Sequence, residues 1–371
     1  MSQRPLRIGI ACYPTVGGSG ILATELGLAL AERGHEIHFL SYAEPARLFA
    51  ATNVSVHKVS VSAYPLFKYP PYDLALASKM RDLIESRDLD ILHVHYAIPH
   101  AICAYLAKQM TPNCRTKSIV TLHGTDITVV GSDPAYREVT RFGMDHADVV
   151  LAVSEFLAEE TRAIFDPQHP IQVLPNFVDA GRFLPNRQLG LTDPLTVVHM
   201  SNFRPVKRPL DVVRAFAKIR RRIASRLWLV GDGPDLPSCL DLARDLGVGD
   251  AVESLGLVQR VETILPEAHL LLQPSGSESF GLAALEAMSC GVPVVGYAVG
   301  GLPEVVRTGQ DGFLVPFQDI DALVERSVEI LQSKELWGSL RASSRSRAEQ
   351  EFSVQRSVER HEKVYYDCLS S

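Results

Sequence analysis

The chain has 371 residues, 46% hydrophobic and 22% charged, with a formal net charge of −6. That length favours two domains over a single core, and the composition is that of an ordinary globular protein rather than a disordered one. The negative balance argues against a general nucleic-acid or anionic-membrane surface, so the run Arg220 to Arg222 reads as a solvated helix face. The six cysteines (Cys12, Cys103, Cys114, Cys239, Cys290 and Cys368) form no C-x-x-C pair, so neither a zinc site nor a disulfide framework is expected, and a reducing cytoplasm fits. Met1 to Arg7 is polar and runs straight into a strand, leaving no room for a signal-peptide core. The apolar 281–301 stretch contains Glu286, Pro293 and several glycines, and reads as a buried α/β unit rather than a membrane span.

In chain order, Leu6 to Cys12 is a buried strand, followed by the loop Tyr13 to Gly20 and a helix from Ile21 to Arg33 capped by Gly34. Strands follow at His35 to Ser41, Asp90 to His95, Ser118 to Leu122 and Asp148 to Val153, with a helix at His100 to Gln109. Between them, Ala63 to Asp73 is rich in Pro and Tyr and reads as a loop covering a sheet edge or a cleft. After Ile171 to Leu174 comes Pro175-Asn176-Phe177-Val178-Asp179 and a polar stretch to Asp193-Pro194, where the domain boundary is expected.

A second alternating series has strands at Leu195 to Met200, Arg226 to Val230, Ala251 to Leu255, His269 to Gln273, Pro293 to Gly296 and Gly312 to Val315. From about Asp319 the chain reads as nearly all helical, through Glu335 to Glu351 and Val354 to Cys368. Strands alternating with helices predict right-handed crossovers and parallel, doubly wound sheets. The expected class is therefore α/β, with two Rossmann-like domains, 1–175 and 176–351, and a helical tail at about 352–371 returning to the first. Open sheets of this kind bind ligands at the carboxyl ends of their strands, so a cleft between two facing domains is the expected site.

Gln273 to Val295 is the most informative segment. A short apolar strand is stopped by Pro274-Ser275-Gly276-Ser277, a helix begins near Ser279 to Gly281, and Gly291 and Pro293 end it. On that helix Ser279, Ala283 and Glu286 share one face, while Leu282, Leu285 and Met288 point into the core. Free N–H groups at the helix start form an anion site. Glu278 and Glu286 as a glycosidase pair are disfavoured, because the intervening chain spans up to about 12 Å at the helical rise, beyond the carboxyl separation such pairs use. Each is better read as an acceptor of hydrogen bonds from hydroxyls, one on a sugar and one on a ribose.

Gly17-Gly18-Ser19-Gly20, four small residues before a helix, would let a phosphate approach backbone N–H groups. Gly18-x-Gly20-x-x-Ala23 also satisfies a dinucleotide fingerprint, which keeps a nicotinamide oxidoreductase in view. Against it, Tyr13 to Val16 separate the strand from the glycines, and Glu44, the only acidic candidate for a ribose, lies well beyond the next strand. His93 reads as a core histidine, whereas His95, Tyr96 and His123-Gly124-Thr125-Asp126 sit at strand carboxyl ends and favour a polar role toward substrate. In Ser201 to Arg208, Arg204 and Lys207 are candidate diphosphate clamps and Arg208 a surface residue. Gly231-Asp232-Gly233-Pro234 and Gly300-Gly301-Leu302-Pro303-Glu304 are glycine turns for which structural and ligand roles are both open.

Ser277-Glu278-Ser-Phe-Gly-Leu-Ala-Ala-Leu-Glu286-Ala-Met288, with Gly-Val-Pro-Val-Val and Gly-Gly-Leu-Pro-Glu, resembles the nucleotide-sugar half of a family 4 retaining GT-B glycosyltransferase, and nearly the whole chain agrees. Cys12-Tyr-Pro-Thr-Val-Gly-Gly-Ser-Gly, His93-Val-His-Tyr-Ala-Ile-Pro-His, Thr121-Leu-His-Gly-Thr-Asp and Leu174-Pro-Asn-Phe-Val-Asp are similar to those members that move N-acetylglucosamine from UDP-GlcNAc to the hydroxyl of L-malate, the first step of bacillithiol biosynthesis. The resemblance implies that Glu286 holds ribose hydroxyls and Glu278 sugar hydroxyls, with Phe280, Gly281 and Leu282 at the same donor site. It implies that Lys207, Arg204 and the Gly18 amide stabilise the departing UDP, that His123 contacts the donor sugar, and that no carboxylate nucleophile acts. Ser19, Tyr96, Thr121 and Arg204 are the candidates for malate. No cofactor or metal is expected beyond the substrate UDP-GlcNAc, nor nucleic acid or stable membrane association, and a homodimer is allowed.

The family's Gly-Arg-x4-Lys is replaced here by Ser201-Asn202-x4-Lys207, so Arg204 is expected to supply the missing charge. Other members act on inositol phosphate, sugars or lipids, and these are the alternative acceptors. A sugar-binding protein without activity is disfavoured, because the phosphate clamp and both glutamates are present.

Overall fold

The computed structural model describes residues 4–14, 17–48, 51–61, 65–66, 68–192 and 194–371. Ala63, Tyr64 and Phe67 of the expected covering loop, Thr15 and Val16 before the first glycines, and Asp193 at the expected boundary lie outside them. Two compact units are formed. The first runs to Asn176 and is joined by Val354–Ser371, and the second is Phe177–Ser353.

The first unit contains β1 (Arg7–Ala11), α1 (Gly18–Glu32), β2 (Glu36–Ser41), β3 (Val54–Lys58), α2 (Tyr72–Arg87), β4 (Ile91–His95) and α3 (Ile102–Gln109). It continues through β5 (Lys117–Leu122), α4 (Thr125–Thr128), α5 (Arg137–Asp145), β6 (Val149–Ala152), α6 (Glu155–Phe165) and β7 (Ile171–Val173). The second holds β8 (Leu195–Met200), α7 (Pro209–Arg220), β9 (Ser225–Val230), α8 (Leu236–Asp245), β10 (Val252–Gly256), β11 (Leu270–Gln273) and α9 (Leu282–Ser289). After them come β12 (Val294–Tyr297), α10 (Leu302–Val305), β13 (Gly312–Val315), α11 (Ile320–Gln332) and α12 (Lys334–Glu351), and α13 (Val354–Ser370) completes the first unit.

Both sheets are parallel throughout, in the orders β3-β2-β1-β4-β5-β6-β7 and β10-β9-β8-β11-β12-β13. The central strands read as continuous apolar runs because helices cover both faces. Ile8, for example, lies beside Ile37 on one flank and Ile91 on the other, and Val198 beside Trp228 and Leu271. Val197, Phe216, Leu229, Leu270 and Leu340 belong to the buried core of the second unit.

In each unit the strand order reverses once, between β1 and β4 and again between β8 and β11. Loops leaving neighbouring strands toward opposite faces open a crevice at such a point, the position where open α/β sheets bind ligands. The loop after β1 carries Gly17 to Gly20, that after β4 carries Tyr96, that after β8 carries Arg204 and Lys207, and that after β11 carries Glu278.

Four readings of the sequence are corrected. The first helix begins at Gly18 rather than Ile21, so Gly18, Ser19 and Gly20 form its opening turn instead of a preceding loop. Helix α9 begins at Leu282, with Gly281 at its cap (φ +106°), so Ser279 precedes it and does not share a helical face with Glu286. Leu285 and Met288 are buried as expected, whereas Leu282 is only half-buried. The covering loop gives way to α2 at Tyr72, and the exposed edge strand β3 was not anticipated.

Candidate active site

The second unit builds its site from the loops after β8 and β11. A short turn at Pro205–Lys207 follows β8 and is tied to the other loop by the Gly276 N–H, which donates to the Val206 carbonyl at 2.7 Å. This brings Lys207 onto Glu278, with Nζ 2.8 Å from Oε1. The same oxygen accepts from Gln273 Nε2 at 2.9 Å and Ser275 Oγ at 2.7 Å. Burial alone would raise the Glu278 carboxyl's pKa, but the Lys207 charge and these three donors outweigh it and hold the group below the ordinary glutamate value. Oε2 takes no hydrogen bond among the described residues, so one carboxylate oxygen is anchored and the other is left for a ligand.

Three glycines hold this geometry. Gly300 has φ +58°, and a Cβ there would stand 2.0 Å from the Glu278 carbonyl oxygen, while the Gly301 N–H donates to that same oxygen at 2.8 Å. A Cβ at Gly231 would stand 1.9 Å from the Ser201 carbonyl oxygen, and one at Gly233 1.9 Å from that of Asn202. These glycine turns therefore serve close backbone approach.

Behind them, buried His199 donates from Nδ1 to the Leu272 carbonyl at 2.8 Å, so its Nε2 accepts from Ser201 Oγ at 2.9 Å. The N–H groups of Phe280 and Gly281 donate to no acceptor among the described residues, while the Phe280 ring is buried near Phe352. Glu286 is buried in α9. Arg204 is exposed and forms no ion pair among the described residues. Arg208, expected as a surface residue, instead holds Asp211 through Nε at 2.6 Å and lies over the Phe317 ring.

The first unit gathers its candidates at the other strand-order reversal. In the opening turn of α1 the N–H groups of Gly18, Ser19 and Gly20 find no acceptor among the described residues, as expected of a helix start. Six residues separate the end of β1 at Ala11 from Gly18, and the glycines lie inside the helix, so the nicotinamide fingerprint's required glycine at the strand end is missing. Ser19 Oγ is hydrogen-bonded to the Tyr96 hydroxyl. Tyr96 has φ +81° and donates its N–H to the Thr121 carbonyl at 2.8 Å, which brings Ser19, Tyr96 and Thr121 together across three elements. The Tyr96 ring centroid lies 5.1 Å from that of His123.

Thr121 and His123 end in a buried histidine array. His93 Nε2 lies 2.7 Å from Thr121 Oγ1, and His95 Nδ1 lies 2.9 Å from His123 Nε2. Burial pushes His123 down to about 3 and His100 to about 4, and lowers His93 and His95 well below the usual histidine range, so all are neutral near pH 7. His95 Nε2 is buried without a partner among the described residues. A buried lone pair is tolerated better than a buried orphan N–H, so His95 carries its proton on Nδ1 and gives it to His123 Nε2. His123 is then protonated on Nδ1, a donor available to a ligand.

Asp126 does not face substrate as expected. It is buried and accepts from the backbone N–H groups of Ala97, His123 and Gly124 at 2.8, 3.1 and 2.9 Å, clamping the loops after β4 and β5 together. Gln273 and Ser275 are functional neighbours that sequence reasoning missed. A glutamine closing an otherwise apolar buried strand was the available signal. Among the described residues no helix is long and apolar enough to cross a membrane.

The family described as "Glycosyltransferase Family 4" matches residues 16–182, and "Glycosyl transferases group 1" matches residues 184–350. Among curated proteins, the N-acetyl-alpha-D-glucosaminyl L-malate synthase of Bacillus anthracis is 46% identical over 98% of this chain and 97% of its own length. A GDP-mannose-dependent alpha-(1-6)-phosphatidylinositol monomannoside mannosyltransferase of Mycolicibacterium smegmatis is 30% identical over 74% of this chain and 76% of its own. Among solved structures, a sucrose-phosphate synthase of Thermosynechococcus elongatus superposes with a TM-score of 0.83 at 21% identity, covering 98% of this chain and 99% of that one. Anabaena HepE in complex with UDP and glucose superposes with a TM-score of 0.81 at 18% identity, covering 97% and 99%. Two parallel Rossmann-like halves, a matched family over each, and a 46% identical relative along nearly the full length make the chain a member of the family 4, group 1 glycosyltransferases of GT-B type.

Proposed function

We propose that this glycosyltransferase moves N-acetylglucosamine from UDP-GlcNAc to the hydroxyl of L-malate, with retention at the anomeric carbon, as the first step of bacillithiol biosynthesis. The observation that carries the reading is the 46% identity over 98% of the chain to a synthase named for that product. The donor belongs to the second unit: Glu286 takes the ribose hydroxyls, and the open Oε2 of Glu278 with the Phe280 and Gly281 N–H groups takes sugar hydroxyls, beside Leu282. The acceptor belongs to the first unit, where Ser19, Tyr96 and Thr121 offer hydroxyls to a dianion.

In the reaction the bond from the anomeric carbon to the β-phosphate oxygen breaks, the malate oxygen bonds to that carbon on the same face, and the malate hydroxyl proton passes to the departing phosphate. Charge grows on UDP, so preorganised donors supply the main assistance. Lys207 shares its charge with Glu278, which leaves Arg204 the cation with undivided charge, joined by the Gly18 N–H. Whether Arg204 serves the diphosphate, the malate carboxylates or both is decided by which substrate's KM responds to its removal. His123 is held neutral and acts as a hydrogen-bond donor to the sugar rather than as an acid. No step calls on a cofactor. The six free cysteines, five of them buried, suit a reducing cytoplasm.

The test is to incubate the protein with UDP-GlcNAc and a panel of hydroxy acids, inositol phosphates and polyols and to measure UDP release. L-Malate is expected to give the highest rate. Release no faster than the water blank would refute the acceptor assignment, and release with an inositol phosphate instead would move the chain to that branch of the family.

A further inference from the structure

The mechanism above leaves Tyr365 unused, although it is completely buried and lies on α13, at the far end of the sequence from the site. Its hydroxyl has a single hydrogen-bond partner among the described residues, His93 Nδ1 at 2.8 Å, and the opposite nitrogen of His93 lies 2.7 Å from Thr121 Oγ1. Two proton arrangements satisfy these distances. In one, Thr121 donates to His93, His93 donates from Nδ1 to the phenol oxygen, and the phenol proton is buried with no acceptor. In the other, Tyr365 donates to Nδ1, His93 donates from Nε2 to Thr121 Oγ1, and the Thr121 proton points away from the histidine. Burial holds the phenol protonated and the imidazole neutral, so neither escapes by ionising. The first arrangement traps the unmatched proton on a completely buried phenol, whereas the second moves it to the Thr121 hydroxyl near the carboxyl end of β5, where an incoming ligand can accept it, so the second is favoured.

We infer that Tyr365 and His93 are positioning residues for the transfer reaction: they lock the Thr121 hydroxyl as a hydrogen-bond donor aimed at the acceptor's carboxylate. Thr121 can otherwise serve as donor or acceptor with equal ease. With one lone pair of its oxygen taken by His93 Nε2–H, the hydroxyl turns its proton outward, the polarity that a carboxylate, which only accepts, requires at that point. Thr121 is the member of the array that reaches the strand's carboxyl end, and its carbonyl simultaneously accepts the Tyr96 N–H, so the hydroxyl and the Ser19–Tyr96 pair are held to one another. This inference rests on the reading of Thr121 as part of the acceptor site.

The test uses Tyr365→Phe, which keeps the ring edge-on to His93 and removes only the hydroxyl. Freed from the phenol, His93 exchanges tautomers and Thr121 is no longer held as a donor. The expected kinetic result is a rise of about tenfold in the KM for L-malate, the scale of weakening one hydrogen bond to a charged group, with the KM for UDP-GlcNAc within about twofold of the parent. Thr121→Val should raise the malate KM at least as far, and adding Tyr365→Phe to it should raise it no further. Equal effects of Tyr365→Phe on both substrates, or additive effects of the two substitutions, would overturn the inference.

A readout independent of substrate is the nitrogen-15 spectrum of His93 in the unliganded full chain. The parent should carry the proton on Nε2, and a parent spectrum with the proton on Nδ1 would overturn the lock whatever the acceptor. Conversely, an Nε2–H spectrum combined with a Thr121→Val variant of unchanged malate KM would sink the acceptor reading of Thr121 and with it the proposed role, while leaving the tautomer assignment standing.

Discussion

Lys207→Met removes a charge from a carboxylate that is almost entirely buried while keeping most of the lysine stem. At 2.8 Å, a unit pair has a gross attraction of about 6 kcal/mol at an effective dielectric of about 20. Much of that offsets the desolvation of Glu278, and Lys207 is itself 24% exposed, so solvent screens part of the rest. Truncating one partner leaves Glu278 with only Gln273 and Ser275 as donors. The expected destabilisation is about 2 kcal/mol, below the range for a fully buried pair. In a unit of this size that is a fall of about 4–8 °C in Tm.

The pH dependence carries the sign. In the parent, Glu278 is held below its ordinary value, so its stabilisation is present above the unfolded pKa and disappears as pH falls through the folded one. In the variant, burial dominates and the folded value moves above the unfolded one, so its stability deficit relative to the parent should shrink as pH falls from 7 toward 5. Glu278→Gln added to Lys207→Met should recover most of the lost Tm without recovering transfer, because the pair's structural and substrate roles are then separated. Calorimetry from pH 5 to 8 with UDP-release kinetics is the assay. A Lys207→Met variant with parental Tm and an unaltered pH profile would refute this account of the site's electrostatics.

Three further outcomes follow from the geometry. Arg204→Ala should raise the KM for UDP-GlcNAc, for L-malate or for both by about tenfold or more, as expected when an undivided charge is lost from an anion site, and unchanged kinetics for both substrates would remove Arg204 from the mechanism. Gly300→Ala combines a φ of +58° with a Cβ 2.0 Å from the Glu278 carbonyl, so the loop must move; a stability loss of about 1–3 kcal/mol by chemical denaturation and weaker binding of UDP-GlcNAc by calorimetry are expected. His93, His95, His100, His123 and His361 are all lowered by burial, so the native state binds fewer protons than the unfolded one and stability falls as pH drops below about 6.5. Each should contribute a loss of about 1 kcal/mol by pH 5.5, and a Tm that does not decline between pH 7.5 and 5.5 would contradict the neutral array.

What could be read from the chain was local. Gln273 to Val295 announced its strand, loop and helix because the apolar run, the small polar residues and the closing glycine all lie within a few turns of one another. The alternation of strands and helices foretold both sheets for the same reason. The start of α1 was misplaced because glycines ordinarily end helices, and here three positions of the first turn are Gly18, Ser19 and Gly20. The strand β3 escaped because Val54–Lys58 is an exposed edge with polar alternates and little apolar signal. The pairings that join the candidate residues were invisible for another reason: Lys207 meets Glu278 across 71 residues, and His93 meets Tyr365 across 272, distances at which no periodicity or capping rule operates. Asp126 shows the converse failure. Its position at a strand end suggested substrate, whereas its carboxylate is consumed by three backbone N–H groups.

The return of the last helix to the first unit bears on how the protein is made. The second unit is an insert whose ends lie side by side, with the Val178 N–H donating to the Phe352 carbonyl at 2.9 Å, so it can close on itself while the remaining residues are still being synthesised. The first unit, although it emerges earlier, waits for α13 to supply Tyr365 to His93, Glu362 to Arg33 and His35, and the Tyr366 hydroxyl to the Arg4 carbonyl. A chain broken off near residue 353 would thus hold the second unit entire and leave the first without the helix that partners His93, Arg33, His35 and the Arg4 carbonyl. The first unit is closed only once α13 has been made.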